Sequence, residues 1–138
     1  MKRIVIDLDH TLSATGGNEP PEGADATHWK YEEAAVNLEL VQKLRDYKQA
    51  GFDIVIHSSR NMRTYEGNVG LINVHTLPRI IGWLERHDIP FDEVIVGKPW
   101  CGTEGFYVDD RSIRPLEFQN MTYDEIVALL EREKFDGR

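Results

Sequence analysis

The feature that most constrains this chain is an alternation of short apolar, β-branched runs with segments of helical period. Residues 2–8 form a nearly continuous apolar run that ends in carboxylates, as a strand buried inside a parallel sheet would. Between residues 33 and 50, Val36, Leu40, Val41, Leu44 and Tyr47 recur at three- and four-residue spacings, and Gly51 stands where a helix commonly stops. Residues 52–56 read as a second strand, 91–96 as a third and 105–108 as a fourth. Thr76-Leu77-Pro78 resembles a helix cap with proline in the first turn of a helix reaching His87. Thr122-Tyr123-Asp124-Glu125 matches a capping box before a final helix. Parallel neighbours need long crossovers, and those crossovers cover the sheet, so the expected fold is α/β with a mainly parallel central sheet and helices on both faces.

A length of 138 residues suits a single domain, 1–138, with one core. Two stretches interrupt the alternation. Residues 13–31 are rich in Gly, Pro, Asn and charge, and a loop of that length inside a domain is commonly functional or mobile, so a cover over a site is expected there. Residues 61–73, with Arg63, Gly67 and Gly70, look irregular.

Charge narrows the partners. Sixteen Lys and Arg against twenty-four Asp and Glu leave a net charge of −8, which repels polyanions and anionic head groups, so neither nucleic acid nor a membrane is expected. The apolar runs are only strand-length, and Met1-Lys2-Arg3 leads straight into a strand rather than into a signal peptide, which sets the expectation of a cytoplasmic protein. Cys101 is the only cysteine, so no internal disulfide can form.

Ligands of parallel α/β sheets bind beyond the carboxyl ends of the strands. Asp7, Asp9 and Thr11 follow the first strand, and Ser58, Ser59 and Arg60 follow the second. Gly97-Lys98-Pro99 follows the third, and Asp109-Asp110 the fourth. Singly, an Asp or Ser at a strand end is usually a turn former and a Lys a solvated charge. Together, adjacent first and fourth strands would gather up to four carboxylates, a cluster that needs positive charge. Hard oxygens in a small site most naturally hold Mg²⁺, which keeps several waters and accepts a phosphate oxygen.

In this order, Asp7-x-Asp9-x-Thr11, Ser58 or Ser59, Lys98 and Asp109-Asp110 resemble the haloacid dehalogenase superfamily of phosphatases. More narrowly, Arg60-Asn61-Met62-Arg63-Thr64-Tyr65-Glu66-Gly67-Asn68, Gly97-Lys98-Pro99-Trp100 and Tyr107-Val108-Asp109-Asp110-Arg111 resemble its small phosphatases of capsule and lipopolysaccharide biosynthesis. The resemblance implies a Rossmann-like three-layer α/β/α sandwich in which loops 13–31 and 61–73 replace the usual cap. It also implies a magnesium-dependent phosphomonoesterase acting through an aspartyl-phosphate on a sugar phosphate or similar small metabolite.

By the same resemblance, Asp7 attacks phosphorus, and Asp9 serves as acid on the leaving oxygen and then as base on water. Ser58, or Ser59 beside it, hydrogen-bonds the phosphoryl group, with Thr11 and Arg60 further substrate contacts; Lys98 balances charge. Asp7 through its side chain, Asp9 through its main-chain carbonyl, and Asp110 or Asp109 would hold magnesium. Arg63, Arg111, Arg114 and His75 are further candidates for an anionic substrate, while Trp100 and Cys101 are expected to pack or line the loop. His10 departs from the Gly of many relatives. If that position needs positive φ, His costs about 1 kcal/mol, so either the turn avoids the region or the imidazole has a use. Two other classes share these residues: a phosphoacceptor signalling domain, though there the acidic pair follows the first strand and the Lys comes last, and a non-catalytic magnesium or phosphate-binding module.

Overall fold

The structure is a computed structural model that describes residues 1–14 and 20–137; residues 15–19, part of the expected loop 13–31, lie outside the described residues. The chain divides into two compact units, Met1–Trp100 and Cys101–Arg138.

In the first unit, β1 (Arg3–Ile6), β4 (Asp53–Ser58) and β5 (Glu93–Val96) form a parallel sheet in the order β1-β4-β5. The register pairs Val5 with Val55 and Ile56 with Val94. Between these strands the chain runs through β2 (Ser13–Ala14), α1 (Trp29–Glu32), β3 (Ala35–Val36), α2 (Leu38–Gln49), α3 (Val69–His75) and α4 (Leu77–Arg86). The expected alternation and parallel pairing therefore hold for the first three strands.

Three local expectations change. The helix expected over 33–50 begins at Leu38, because Ala35–Val36 pairs antiparallel with Ser13–Ala14 and the Asn37 side chain then caps the helix by accepting the Leu40 N–H at 3.3 Å. The stretch 61–73 is irregular only to Asn68, whose side chain accepts the Leu71 N–H at 3.2 Å and starts α3. Gly70 within the first turn had masked that helix. Thr76 does not cap α4 through its side chain; buried and helical in conformation, it donates its hydroxyl to Asn61 Oδ1 at 2.6 Å. Pro78 does sit in the first turn of α4, as the sequence implies.

The core lies where the sheet meets α2 and α4. Leu40, Val41 and Leu44 of α2, Ile80, Trp83 and Leu84 of α4, and Ile54 and Ile56 of β4 are all buried. Each such side chain contributes about 1.5–3 kcal/mol by leaving water. Arg45 fastens the ends of the two helices by donating to the main-chain oxygens of His87 and Asp88. Along the strands, Ile6, Ile54, Ile56 and Ser58 on one face are buried; on the other, Val55 of the central strand is buried while Val5 and Ile95 of the flanking strands are exposed.

The second unit contains α5 (Pro115–Asn120) and α6 (Tyr123–Glu133). The expected capping box is present: Thr122 Oγ1 accepts the Glu125 N–H at 3.2 Å, and Glu125 Oε1 accepts the Thr122 N–H at 2.9 Å. The expected fourth strand over 105–108 is not. No strand occurs among the described residues of this unit to supply a ladder, and Phe106 and Val108 are 79% and 87% exposed. The segment leaves a turn at Gly102, with φ 81°, and passes Gly105, where a Cβ would collide with the Cys101 carbonyl oxygen.

Candidate active site

Asp7 is the first residue beyond β1. The Leu8 carbonyl accepts the N–H groups of Thr11, Leu12 and Ser13 at 2.9–3.2 Å, and fully buried Leu8 and Leu12 anchor this tight turn. The turn swings Thr11 back so that its hydroxyl donates to Asp7 Oδ2 at 3.0 Å, and Lys98 Nζ lies 3.4 Å from Oδ1. The Asp7 carboxylate is thus held on one side by a neutral donor and faced on the other by a cation. Thr11, expected to touch substrate, here orients Asp7.

Closing the turn places His10 at φ 64°, with its N–H bonded to the Ser13 carbonyl at 2.8 Å. The position does adopt the left-handed region, and its imidazole is exposed.

Asp9 faces a different environment. Arg60 donates from Nε to Oδ2 at 3.1 Å and from an Nη to Oδ1 at 2.7 Å, a two-pronged charge-assisted pair. The guanidinium also stacks on the Tyr31 ring, 4.3 Å from its centroid, and the Arg60 side chain is only 2% exposed. Arg60 was expected to bind substrate; in this structure its fork is occupied by Asp9.

The end of β4 repeats the geometry of the end of β1. His10 lies three residues beyond Asp7, and Asn61, also left-handed at φ 62°, lies three beyond Ser58. Asn tolerates this region better than most residues, and its side chain is engaged by Thr64 and Thr76. Buried Ser58 accepts the Arg60 N–H on Oγ at 3.0 Å, leaving its own hydroxyl proton to donate; half-buried Ser59 follows. The Lys98 N–H bonds the Ser58 carbonyl at 3.2 Å, and Gly97, at φ 84° and packed close to Val69, permits the bend that turns Lys98 toward Asp7. Asp7, Ser58 and Lys98 are thereby gathered at the carboxyl ends of three neighbouring strands.

His57, one residue before Ser58, is not among the residues the motifs single out. Its pKa lies below the usual histidine value, first because it is partly buried and next because Lys98 is nearby, with Asp7 opposing. Its place one residue before Ser58 was the available signal.

In the second unit, Asp109 and Asp110 are both exposed. Asp109 accepts the Arg111 N–H at 3.0 Å, and that bond, followed by a hydrogen bond with Asp110, holds its carboxyl below the ordinary range. Arg111 and Arg114 are exposed in the same unit, and Cys101 is half-buried. Among the described residues no three His, Cys, Asp or Glu side chains are gathered to hold a metal. The first unit nevertheless offers the Asp7 carboxylate and the Asp9 main-chain carbonyl, hard oxygens of the type magnesium takes alongside water. The Asp9 carboxylate, in the Arg60 fork, is not part of that donor set.

No known family description matches the chain, and no curated protein matches it. A crystal structure of a target protein from Vibrio cholerae is 50% identical, with 97% of this chain and 100% of that one covered and a TM-score of 0.85. The chain belongs to the same family as that protein. A chain of the Pnkp1/Rnl/Hen1 complex is 21% identical over 88% of this chain and 35% of that one, with a TM-score of 0.46, too low to support any argument. Among the described residues no helix is long and apolar enough to cross a membrane.

Proposed function

We propose that this chain is a magnesium-dependent phosphomonoesterase of the haloacid dehalogenase type that forms an aspartyl-phosphate on Asp7. The observation that carries the proposal is the setting of Asp7: a carboxylate at a strand end, aligned by Thr11 at 3.0 Å, with Lys98 at 3.4 Å. A nucleophilic carboxylate needs a fixed orientation, and a phosphate dianion approaching it needs a cation.

In the proposed reaction an Asp7 oxygen bonds to phosphorus as the bond to the leaving oxygen breaks, and Asp9 gives that oxygen a proton. Asp9 then takes a proton from the water that attacks the phosphorus of the intermediate, releasing phosphate and restoring Asp7. Both Asp9 oxygens now accept from Arg60, so Asp9 must turn out of that fork to serve, and an incoming phosphate offers Arg60 replacement acceptors. Ser58 and Lys98 stabilise charge on the phosphoryl oxygens. Magnesium, when bound, would offset the repulsion between carboxylate and phosphate, with Asp7 and the Asp9 carbonyl as ligands. The proposed enzyme is a three-layer Rossmann-like sandwich with loops for a cap, acts on a sugar phosphate of polysaccharide biosynthesis and works in the cytoplasm.

The test is phosphate release from sugar phosphates, nucleotides and phosphopeptides, with magnesium and with chelator, for wild type and Asp7→Asn. Magnesium-dependent release that falls on the order of a thousandfold or more in Asp7→Asn is expected. Undiminished turnover by the variant would remove the covalent role.

A further inference from the structure

At the rim of the site two strand-end loops meet. Arg63 lies in the turn that follows Ser58, and Trp100 lies in the loop that follows β5. The Arg63 guanidinium sits over the Trp100 ring, 5.7 Å from its centroid. Trp100 is only two residues beyond Lys98, a backbone span of at most about 7 Å, and Lys98 Nζ is itself 3.4 Å from Asp7. The pair therefore belongs to the two loops that leave the strand ends carrying Ser58 and Lys98, next to the strand end that carries Asp7.

Two properties single the pair out. Trp100 is 43% exposed, which leaves part of a large apolar side chain open to a ligand. Arg63 also differs from the arginines around it. Arg60 is spent on Asp9, Arg79 on Glu32, and Arg45 and Arg86 on main-chain oxygens. Among the described residues Arg63 has no carboxylate partner, so its fork is open to an anion.

We infer that Trp100 and Arg63 form a leaving-group subsite that takes a ring on the indole face and a second anionic group, such as a carboxylate, on the guanidinium. The preferred substrate class is then a phosphate ester whose leaving group is a ring-bearing acid. This rests on the phosphomonoesterase proposal above. Neither residue touches the reacting atoms; both act on specificity.

Three probes separate the parts: acetyl phosphate, with no ring; phenyl phosphate, with a ring; and 4-carboxyphenyl phosphate, with a ring and an anion. Wild type should prefer 4-carboxyphenyl to phenyl phosphate in kcat/KM by about fivefold, and Arg63→Ala should erase that preference. Trp100→Ala should lower the ratio of phenyl to acetyl phosphate turnover by about fivefold or more, mainly through KM. Ratios unchanged in both variants would overturn the inference while leaving the phosphatase intact. Wild type that hydrolyses none of the probes and no ester of the broader screen would overturn the phosphatase proposal instead. Binding is then read from tryptophan emission: quenching by 4-carboxyphenyl phosphate that disappears in Trp100→Ala supports the subsite, and its persistence or absence from the start overturns it.

Discussion

The chain contains two similar runs in which apolar residues lead into acids: Ile4-Val5-Ile6-Asp7-Leu8-Asp9 and Phe106-Tyr107-Val108-Asp109-Asp110. In the first, the apolar part is β1, laddered to β4, and each carboxylate is fixed by distant side chains: Asp7 by Lys98, 91 positions on, and Asp9 by Arg60, 51 positions on. In the second, the apolar part is not a strand, and Asp109 is held by the N–H of Arg111, two residues away. The same local pattern yields a built site in one place and a turn in the other. The difference is a strand neighbour, which no short pattern contains.

The sharpest way to break this comparison is to truncate one residue from each region. Ile56→Ala, beside β1 in the core, should cost about 3 kcal/mol in urea denaturation, whereas Val108→Ala should stay within about 0.5 kcal/mol. Equal losses would show that 105–108 is buried as a strand after all. Next, Arg60→Ala should cost about 2 kcal/mol, less than a fully buried pair because Asp9 remains partly solvated. Asp109→Asn should leave the midpoint where it is.

Smaller effects test the turn that carries Asp7. His10→Gly should be neutral to stabilising, relieving about 1 kcal/mol of left-handed strain against the greater chain entropy of Gly. A clear loss of stability would mean that the imidazole has a use. Smallest is a pH effect at His28, buried and 3.3 Å from the Tyr65 hydroxyl. Its pKa is lowered, first by burial and then by Arg79, partly opposed by Asp25 and Glu32. The unfolded chain therefore binds the proton more readily than the folded one. The stabilisation from neutral His28 is present above pH 6.5, the ordinary histidine value, and is lost as pH falls through the lower folded value. Thermal melts from pH 7.5 to 5 should show this slope in wild type and a shallower one in His28→Gln.

The sequence made the first unit largely legible because burial imposes periods on it: Leu40, Val41 and Leu44 announce α2, and continuous β-branched runs announce β1 and β4. Boundaries were lost where a polar side chain decides them, as with Asn37 and Asn68. At the site, Lys98 lies against Asp7. The grip of Arg60 on Asp9 was invisible, since nothing in one sequence says which acceptor a buried fork will choose. Likewise Thr11 reads as a ligand contact by motif, yet the Leu8 turn turns it inward onto Asp7.

The proposed chemistry depends on Asp7 as a nucleophile. The most direct measurement is to incubate the protein with 4-carboxyphenyl phosphate and magnesium, quench, reduce with borohydride, and map the peptides by mass spectrometry. An aspartyl-phosphate is reduced to homoserine, so the account predicts conversion at Asp7 that requires substrate and is absent in Asp7→Asn. Phosphate release with Asp7 unconverted, or with conversion at another aspartate, would contradict it.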